Sequence, residues 1–229
     1  MKRDYLEQVA AAKANKRPIA VVTRLADGAQ SLSDGASCTG DVKLSDEQLT
    51  ELRALLVAGR SAALASSNGE IFARSYTPPP KMVIIGAVHI AQFLAPMAAL
   101  AGFEVTIVDP RRAFATEARF PGVKMVTEWP GPALAKVGLD EHTAVVTLTH
   151  DPKLDDPALQ AALKSPVFYI GALGSKRTHA KRIERLKEHG LADLASRIHA
   201  PVGLDLGGRA AAEIAVSALA EVIQERYRN

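Results

Sequence analysis

The apolar and polar positions follow one pattern before Thr77-Pro78-Pro79-Pro80 and a different pattern after it. In the first stretch, short apolar runs are separated by polar turns, which is typical of a small α/β unit. Asn68-Gly69 is flanked by strand-like runs and predicts a two-residue hairpin turn. We predict the following elements: helices near 2–15 and over about Asp46–Ala58, strands over Pro18–Leu25, Ala62–Ser66 and Glu70–Tyr76, and a Gly/Ser/Asp-rich loop over Ala26–Asp41.

After the prolines, β-branched runs alternate with helical patterns, and this alternation predicts a Rossmann-like, doubly wound parallel sheet. The predicted strands are Lys81–Gly86, Glu104–Asp109, Lys124–Thr127, Thr143–Thr149 and Val167–Gly171. The predicted helices end at Ala101 and near Lys164, the latter beginning at Asp156-Pro157, and span Arg177–His189 and Ala210–Arg228. Consecutive prolines favour a stiff connector. The sequence therefore predicts an α/β fold with a small N-terminal domain (1–77), a linker (78–80) and a Rossmann-like domain (81–229).

Composition narrows the function classes. Hydrophobic residues make up 48% and charged residues 23% of the 229 positions, as in ordinary globular proteins. The net charge of +3 is too small to indicate a nucleic-acid partner. Cys38 is the only cysteine, which excludes a disulfide framework. The apolar stretch Val83–Ala101 contains His89 and Pro96, which favours a strand and a buried helix over a membrane span. We expect a cytoplasmic protein.

In a parallel sheet, ligands bind at the carboxyl ends of the strands, so the loops that follow the strands are candidate sites. Gly86-Ala87-Val88-His89 has the position of a dinucleotide-binding turn, and Asp109 ends the next strand, where it would hold a ribose hydroxyl. Val88 stands where a glycine normally lets the backbone approach a pyrophosphate. NAD(P) binding is therefore an alternative and not the leading interpretation.

Two later loops carry charged side chains at the ends of predicted strands. His150 and Asp151 follow the fourth predicted strand and could hold an anion or exchange protons, although an Asp before Pro152 is also a common turn former. Gly171 and Gly174 lead into a basic helix whose free N–H groups attract anions. Donors that could hold a phosphate or a pterin phosphate follow there: Ser175, Lys176, Arg177 and Thr178. A solvated helix face explains the same residues.

Three further candidates have an equally plain structural explanation. Asp205 lies in a glycine-rich loop before the last helix, and Glu213 lies in the first turn of that helix, where an acidic side chain caps well. Cys38 lies in a loop of small residues and could ligate a soft metal or a metal–sulfur cofactor. A lone cysteine can equally be an inert small side chain.

Four segments resemble the XdhC/CoxI family, the accessory proteins of molybdenum hydroxylases such as xanthine dehydrogenase and carbon monoxide dehydrogenase. They are Phe103–Arg111 (FEVTIVDPR), Thr149–Asp156 (THDPKLDD), Tyr169–Arg182 (YIGALGSKRTHAKR) and Ala200–Ala215 (APVGLDLGGRAAAEIA). The resemblance implies a protein that binds the molybdenum cofactor (molybdopterin), protects it and delivers it to the apo-hydroxylase. It also implies a homodimer, and a carrier rather than an enzyme.

The leading hypothesis is therefore a cofactor carrier with no nucleic-acid partner and no membrane span. Its cofactor-binding residues would be Gly86, His89, Asp109, His150, Asp151, Gly171, Gly174, Ser175, Lys176, Arg177, Thr178, Asp205 and Glu213, with Cys38 facing the metal. One alternative is an NAD(P)-dependent oxidoreductase with His150 as proton donor. Another is a related protein that acts only in docking to a partner.

Overall fold

The computed structural model describes residues 2–65 and 70–228, which form two compact units, one ending at Pro78 and the other running from Pro79 to Arg228. Within residues 2–65 and 70–78, the first unit has an antiparallel sheet of five strands in the order β3-β2-β1-β5-β4. The strands are β1 (Ile19–Arg24), β2 (Gln30–Ser33), β3 (Cys38–Gly40), β4 (Ala62–Leu64) and β5 (Ile71–Tyr76). The helices are α1 (Arg3–Ala14) and α2 (Asp46–Ala58).

Alternation of side chains along β1 explains why a helix covers each face of this sheet. Ala20 and Val22 belong to one buried cluster together with Leu52 of α2. Val21 points the other way and packs in a second cluster with Val9 of α1. Because successive side chains of a strand face opposite sides, both faces need an apolar cover.

The predicted loop over Ala26–Asp41 is wrong, because it contains β2 and β3. Ser31 is buried on β2, and its hydroxyl donates a hydrogen bond to the carbonyl oxygen of Val42 at 2.8 Å. The strand is hidden in the sequence because two of its three buried positions are serines satisfied by hydrogen bonds rather than apolar residues. The predicted turn at Asn68-Gly69 lies outside the described residues, and β4 and β5 pair antiparallel as expected.

Residues 79–228 form a fully parallel sheet of six strands in the order β11-β10-β9-β6-β7-β8. The strands are β6 (Lys81–Ile85), β7 (Glu104–Val108), β8 (Lys124–Val126), β9 (Thr143–Thr147), β10 (Tyr169–Ala172) and β11 (Ile198–His199). The helices are α3 (His89–Leu100), α4 (Pro130–Val137), α5 (Pro152–Leu163), α6 (Lys176–Glu188) and α7 (Ala211–Arg226), with a 3-10 turn over Ala192–Arg197. The predicted Rossmann-like sheet is confirmed, and its order reverses between β6 and β9.

The centre of this sheet is buried on both sides, as its continuous apolar runs predict. On β6, Met82 and Ile84 face a cluster completed by α3 and α7. Val83 and Ile85 face a second cluster completed by α4, α5 and α6. No helix among residues 2–65 and 70–228 is long and apolar enough to cross a membrane.

Helix α5 begins earlier than predicted. It starts at Pro152, where Asp151 accepts a hydrogen bond from the Lys153 N–H at 2.9 Å, and not at Asp156-Pro157. Proline is favoured in the first turn of a helix, and two prolines offered that signal. The predicted strand set was also short by one within residues 79–228, because β11 has two residues and leaves no periodic pattern.

Candidate functional site

A cleft of about 810 Å³ opens at the carboxyl ends of β9, β10 and β11. Its lining combines apolar side chains, glycines and a few charges, as is usual for sites that bind organic ligands. The lining residues are His150, Leu173, Gly174, Ser175, Lys176, Pro201, Val202, Gly203, Leu204, Asp205, Leu206, Gly207, Gly208, Arg209, Ile214 and Ser217. Loops thus supply most of the wall, and α6 and α7 supply the remainder.

Glycine 203 allows the loop over 201–209 to lie directly against α7. Gly203 has a φ of +97°, and a Cβ there would collide with the Ser217 hydroxyl and come within 2.9 Å of the Ala218 nitrogen. The Gly203 N–H donates to Glu221 at 2.7 Å, and Ser217 donates to the Leu204 carbonyl oxygen. Since side chains of α7 hold the loop from below, the cleft has a fixed wall.

The start of α6 forms the opposite wall of the cleft. Ser175 caps the helix by accepting a hydrogen bond from the Thr178 N–H at 3.2 Å, and Gly174 before it has a φ of +140°. Lys176 is exposed at the first helical position. A helix N-terminus carries partial positive charge, and Lys176 adds a full one. This wall therefore favours an anionic group.

His150 has a strained backbone conformation. It has a φ of +62°, an uncommon conformation for a residue with a side chain. Asp155 holds this turn, since its two oxygens accept the His150 N–H at 3.1 Å and the Thr149 hydroxyl at 2.7 Å. Burial raises the pKa of Asp155, although the Thr149 hydroxyl and the Arg182 charge oppose the shift. Asp155 keeps the exposed imidazole at the cleft.

A second, smaller cavity of about 230 Å³ shares His150 with the cleft, and we call it the basic pocket. It is lined by His150, Pro152, Asp155, Arg177, Thr178, Lys181, Arg182 and Arg185. Four of these eight residues are cationic. The first turn of α6 thus borders two cavities, with Ser175 and Lys176 facing the cleft and Arg177 and Thr178 facing the basic pocket.

The residues singled out from the sequence divide into three sets. His150, Gly174, Ser175, Lys176 and Asp205 line the cleft. Arg177 and Thr178 line the basic pocket with His150. Lining neither cavity are Gly86, His89, Asp109, Asp151, Gly171 and Glu213. The candidate site is therefore displaced from the point of strand reversal toward β10 and β11.

The carboxylate of Asp109 is paired with other groups of the protein. It is 0% exposed, and its oxygens accept the Ala87 N–H at 2.8 Å and the Arg111 guanidinium at 2.7 and 2.9 Å. Burial opposes ionisation, but these hydrogen bonds outweigh it and lower the pKa of Asp109 below its ordinary value. A carboxylate buried and paired in this way does not present an oxygen to a ribose.

Three other candidates have internal roles. Asp151 caps α5, and Glu213 accepts the N–H groups of Arg209 and Ala210, each at 2.9 Å, at the start of α7. His89 is exposed, with Nδ1 3.2 Å from the Gln92 side-chain oxygen. These contacts match the capping alternative for Glu213, and Asp151 acts as a helix cap rather than as the turn former that the sequence suggested.

Glycines 86 and 171 serve close packing between loops and strands. A Cβ on Gly86 would collide with the Thr149 side chain, and a Cβ on Gly171 would come within 2.7 Å of Tyr169 and Val202. Both positions lie beside the strand ends that carry the candidate loops. Their requirement for glycine is therefore explained without a ligand.

Cys38 lies on β3 and not in a flexible loop. Its Sγ is 3.4 Å from the Val42 carbonyl oxygen, and burial raises the pKa of the thiol. Among residues 2–65 and 70–228, no group of three or more His, Cys, Asp or Glu side chains is arranged to hold a metal ion. A thiol with a raised pKa is a poor soft-metal ligand at neutral pH.

Sequence reasoning missed three residues that shape the site: Asp155, Arg182 and Glu221. The last two lie on α6 and α7 among residues that face the core. Arg182 precedes Leu186 by one turn, and both are buried. A charged residue on the apolar face of a helix is a signal that the sequence does offer.

The sequence matches the XdhC Rossmann domain family over residues 82–222. The chain belongs to this family. The match covers the parallel sheet together with the cleft and the basic pocket.

Two curated bacterial proteins are similar over most of this chain. The molybdenum cofactor insertion chaperone PaoD of Escherichia coli (strain K12) is 36% identical over 68% of this chain and 43% of its own length. A probable xanthine dehydrogenase subunit of Bacillus subtilis (strain 168) is 34% identical over 69% of this chain and 46% of its own length. This member of the XdhC family thus spans less than half the length of these relatives.

A solved structure has the same fold. The crystal structure of a xanthine dehydrogenase from Bacillus halodurans aligns with a TM-score of 0.73 over 99% of this chain and 65% of that chain, at 22% identity. The alignment includes the antiparallel sheet as well as the parallel sheet. At this identity, the likeness establishes the fold alone.

Proposed function

We propose that this XdhC-family chain binds the molybdenum cofactor and delivers it to the apo-form of a molybdenum hydroxylase. The names of two relatives support the direction of the proposal. The observation that carries it is the cleft at the ends of β9, β10 and β11, because its lining suits a flat organic ring with an anionic end.

The cleft offers separate surfaces for the two halves of a pterin phosphate. Leu204, Leu206 and Ile214 supply apolar area against which a ring can pack. Lys176 and the N-terminus of α6 supply the charge and the N–H groups that a phosphate needs. The bound cargo would bring the molybdenum, and the chain's own residues bind, orient and enclose it. Cys38 as a ligand of that metal stays a prediction of the sequence, and molybdenum analysis of a Cys38→Ser variant tests it.

Contacts at the strand reversal favour the carrier over the NAD(P)-dependent oxidoreductase. Asp109 is buried and paired with Arg111, so the residue that would hold a ribose is committed elsewhere. Val88 packs against the apolar cluster of α3 and α7 at the position where a glycine would admit a pyrophosphate. We therefore expect no NAD(P)H binding at millimolar concentration.

Anaerobic titration with the molybdenum cofactor tests the proposal. Protein and cofactor are separated by gel filtration, and the bound cofactor is measured by pterin fluorescence and by elemental analysis of molybdenum. We expect stoichiometric co-elution, with affinity reduced about tenfold by Lys176→Ala because a charge-assisted contact is lost. Lys187→Ala is the matched control, since it removes the same charge from the exposed end of α6.

Delivery needs a second measurement. Loaded protein should activate an apo-hydroxylase, whereas protein loaded under the same conditions but carrying Lys176→Ala should activate it in proportion to its reduced cofactor content. Absence of co-elution in the wild-type chain would overturn the proposal. The predicted homodimer and cytoplasmic location belong to the same proposal, and light scattering during the gel filtration measures the assembly.

A further inference from the structure

The basic pocket differs from the cleft in that it contains a buried cation with unused hydrogen-bonding capacity. Arg182 is 1% exposed and lines the pocket from α6. Its Nη2 donates to the Leu173 carbonyl oxygen at 3.0 Å. Within the described part of the chain, Nε and Nη1 are buried and have no hydrogen-bond partner.

Asp155 does not satisfy this guanidinium. Its Oδ2 is 3.9 Å from Arg182 Nη2, which is beyond hydrogen-bond distance, and both of its oxygens accept other donors. A buried charged donor without an acceptor costs more free energy than an ordinary lost hydrogen bond. Such a group persists in a fold when something else supplies the acceptor.

The charged side chains around the pocket, Arg182 included, have a net charge of +2. Arg185 is committed to Asp156, with contacts of 2.5 and 2.9 Å. Arg177 and Lys181 are exposed, and neither has an ion-pair partner among residues 2–65 and 70–228. Three uncommitted cations thus stand against the single carboxylate of Asp155, which leaves a charge of +2 with the histidines neutral.

We infer that the basic pocket binds a phosphate group as a dianion, with Arg182 as its buried ligand. The surplus charge matches that of the ligand, and a guanidinium suits phosphate oxygens better than a lysine ammonium does. The pocket volume of about 230 Å³ has room for such a group, and its polar, cationic lining favours an anion over an apolar ring. The pocket opens beside the cleft, because His150 lines both cavities.

Titration of the cofactor-free protein with inorganic phosphate tests the inference by calorimetry in a buffer without other polyvalent anions. We expect one phosphate per chain, and Arg182→Met should weaken its binding by about 30-fold, because two charge-assisted hydrogen bonds are lost. Lys187→Gln, which removes a charge from the same helix away from the pocket, should change affinity by less than about twofold. Equal phosphate binding by the wild type and Arg182→Met would overturn the inference.

A double variant keeps the test decisive if Arg182→Met does not fold. Arg177→Gln with Lys181→Gln changes only exposed side chains, and it should weaken phosphate binding by about tenfold while leaving the melting temperature unchanged. Unchanged phosphate binding in this variant would also overturn the inference.

The phosphate could be a free ion or the phosphate end of the ligand in the cleft, and competition separates these sources. If excess inorganic phosphate displaces bound molybdenum cofactor, and Arg182→Met weakens cofactor binding as it weakens phosphate binding, the pocket rather than Lys176 in the cleft holds the phosphate of that cargo. If both bind together, the pocket holds an independent anion. Phosphate binding without any cofactor binding would remove the proposed function and leave this inference standing.

Discussion

Two buried charges near the carboxyl ends of the strands in the parallel sheet differ in whether they are paired. Beside the strand reversal, Asp109 is buried and paired with Arg111, and its second partner is the Ala87 N–H. At the ends of β9 and β10, Arg182 is equally buried, yet two of its nitrogens have no partner in the described part of the chain. Both residues are charged and inaccessible, and only one is satisfied.

The difference separates a structural role from a binding role. A fully paired buried charge stabilises the loop that contains it and presents nothing to a ligand. An unsatisfied buried charge opposes folding and can donate hydrogen bonds to a ligand. Mutations at the two residues should therefore change the free energy of unfolding by different amounts.

Asp109→Ala should have the largest effect. It removes the acceptor of the buried Ala87 N–H and of the Arg111 guanidinium, so we expect a loss of about 3 kcal/mol in the free energy of unfolding. Urea denaturation measures this loss. Asp205→Ala, which removes an exposed carboxylate from the cleft, should change stability by less than about 0.5 kcal/mol. Equal losses in the two variants would contradict the structural role of Asp109.

The same pair predicts a pH dependence. The pKa of Asp109 is lowered in the folded state, so its contribution is present above the unfolded value and is lost as the pH falls through the folded value. The stability difference between the wild type and Asp109→Asn should therefore be complete above about pH 5 and should shrink below about pH 4. A difference that stays constant between pH 7 and pH 3 would exclude this linkage.

Gly203→Ala tests the wall of the cleft. The new Cβ would meet Ser217 and Ala218 at a positive φ, so we expect a loss of about 2 kcal/mol in the free energy of unfolding, together with weaker cofactor binding. Gly207→Ala is the control, because its φ is +78° but nothing in the described chain lies within 4 Å of the new Cβ. It should cost only about 1 kcal/mol.

Glu213→Ala tests a residue that the sequence suggested for the site and that the structure uses as a cap. Loss of the contacts to the Arg209 and Ala210 N–H groups should cost about 1 kcal/mol in thermal or urea unfolding. Cofactor affinity should remain within about twofold of the wild type, because Glu213 lines neither the cleft nor the basic pocket. A tenfold loss of affinity without loss of stability would show that Glu213 contacts the cargo.

Arg182→Met should have a small effect on stability although Arg182 is buried. In phosphate-free buffer we expect a change of less than about 1 kcal/mol, since an unsatisfied buried charge is replaced by an apolar side chain of similar length. Phosphate should then stabilise the wild type and not the variant, as expected when a ligand binds only the folded state. A loss as large as that of Asp109→Ala would show that Arg182 is a structural ion-pair residue.

Sequence alone predicted the parallel sheet, because its strands are continuous apolar runs that need cover on both faces. It also located the loops that matter, since strand ends and helix starts carry glycines and charged residues in recognisable order. Gly174, Ser175, Lys176 and His150 were found in this way, and the structure brings them to one cleft. The strands β2, with two buried serines, and β3, with three residues, left no such pattern and were missed.

Only the tertiary structure determined which charged side chains are paired within the protein and which keep unsatisfied donors. Asp109 follows an apolar run and Arg182 lies in a basic helix, and neither context shows whether the charge is paired. Their partners come from distant segments, with Ala87 reaching Asp109 and Leu173 reaching Arg182. Hydrogen-bond satisfaction depends on distances of a few tenths of an ångström between such segments, and local sequence patterns do not determine these distances.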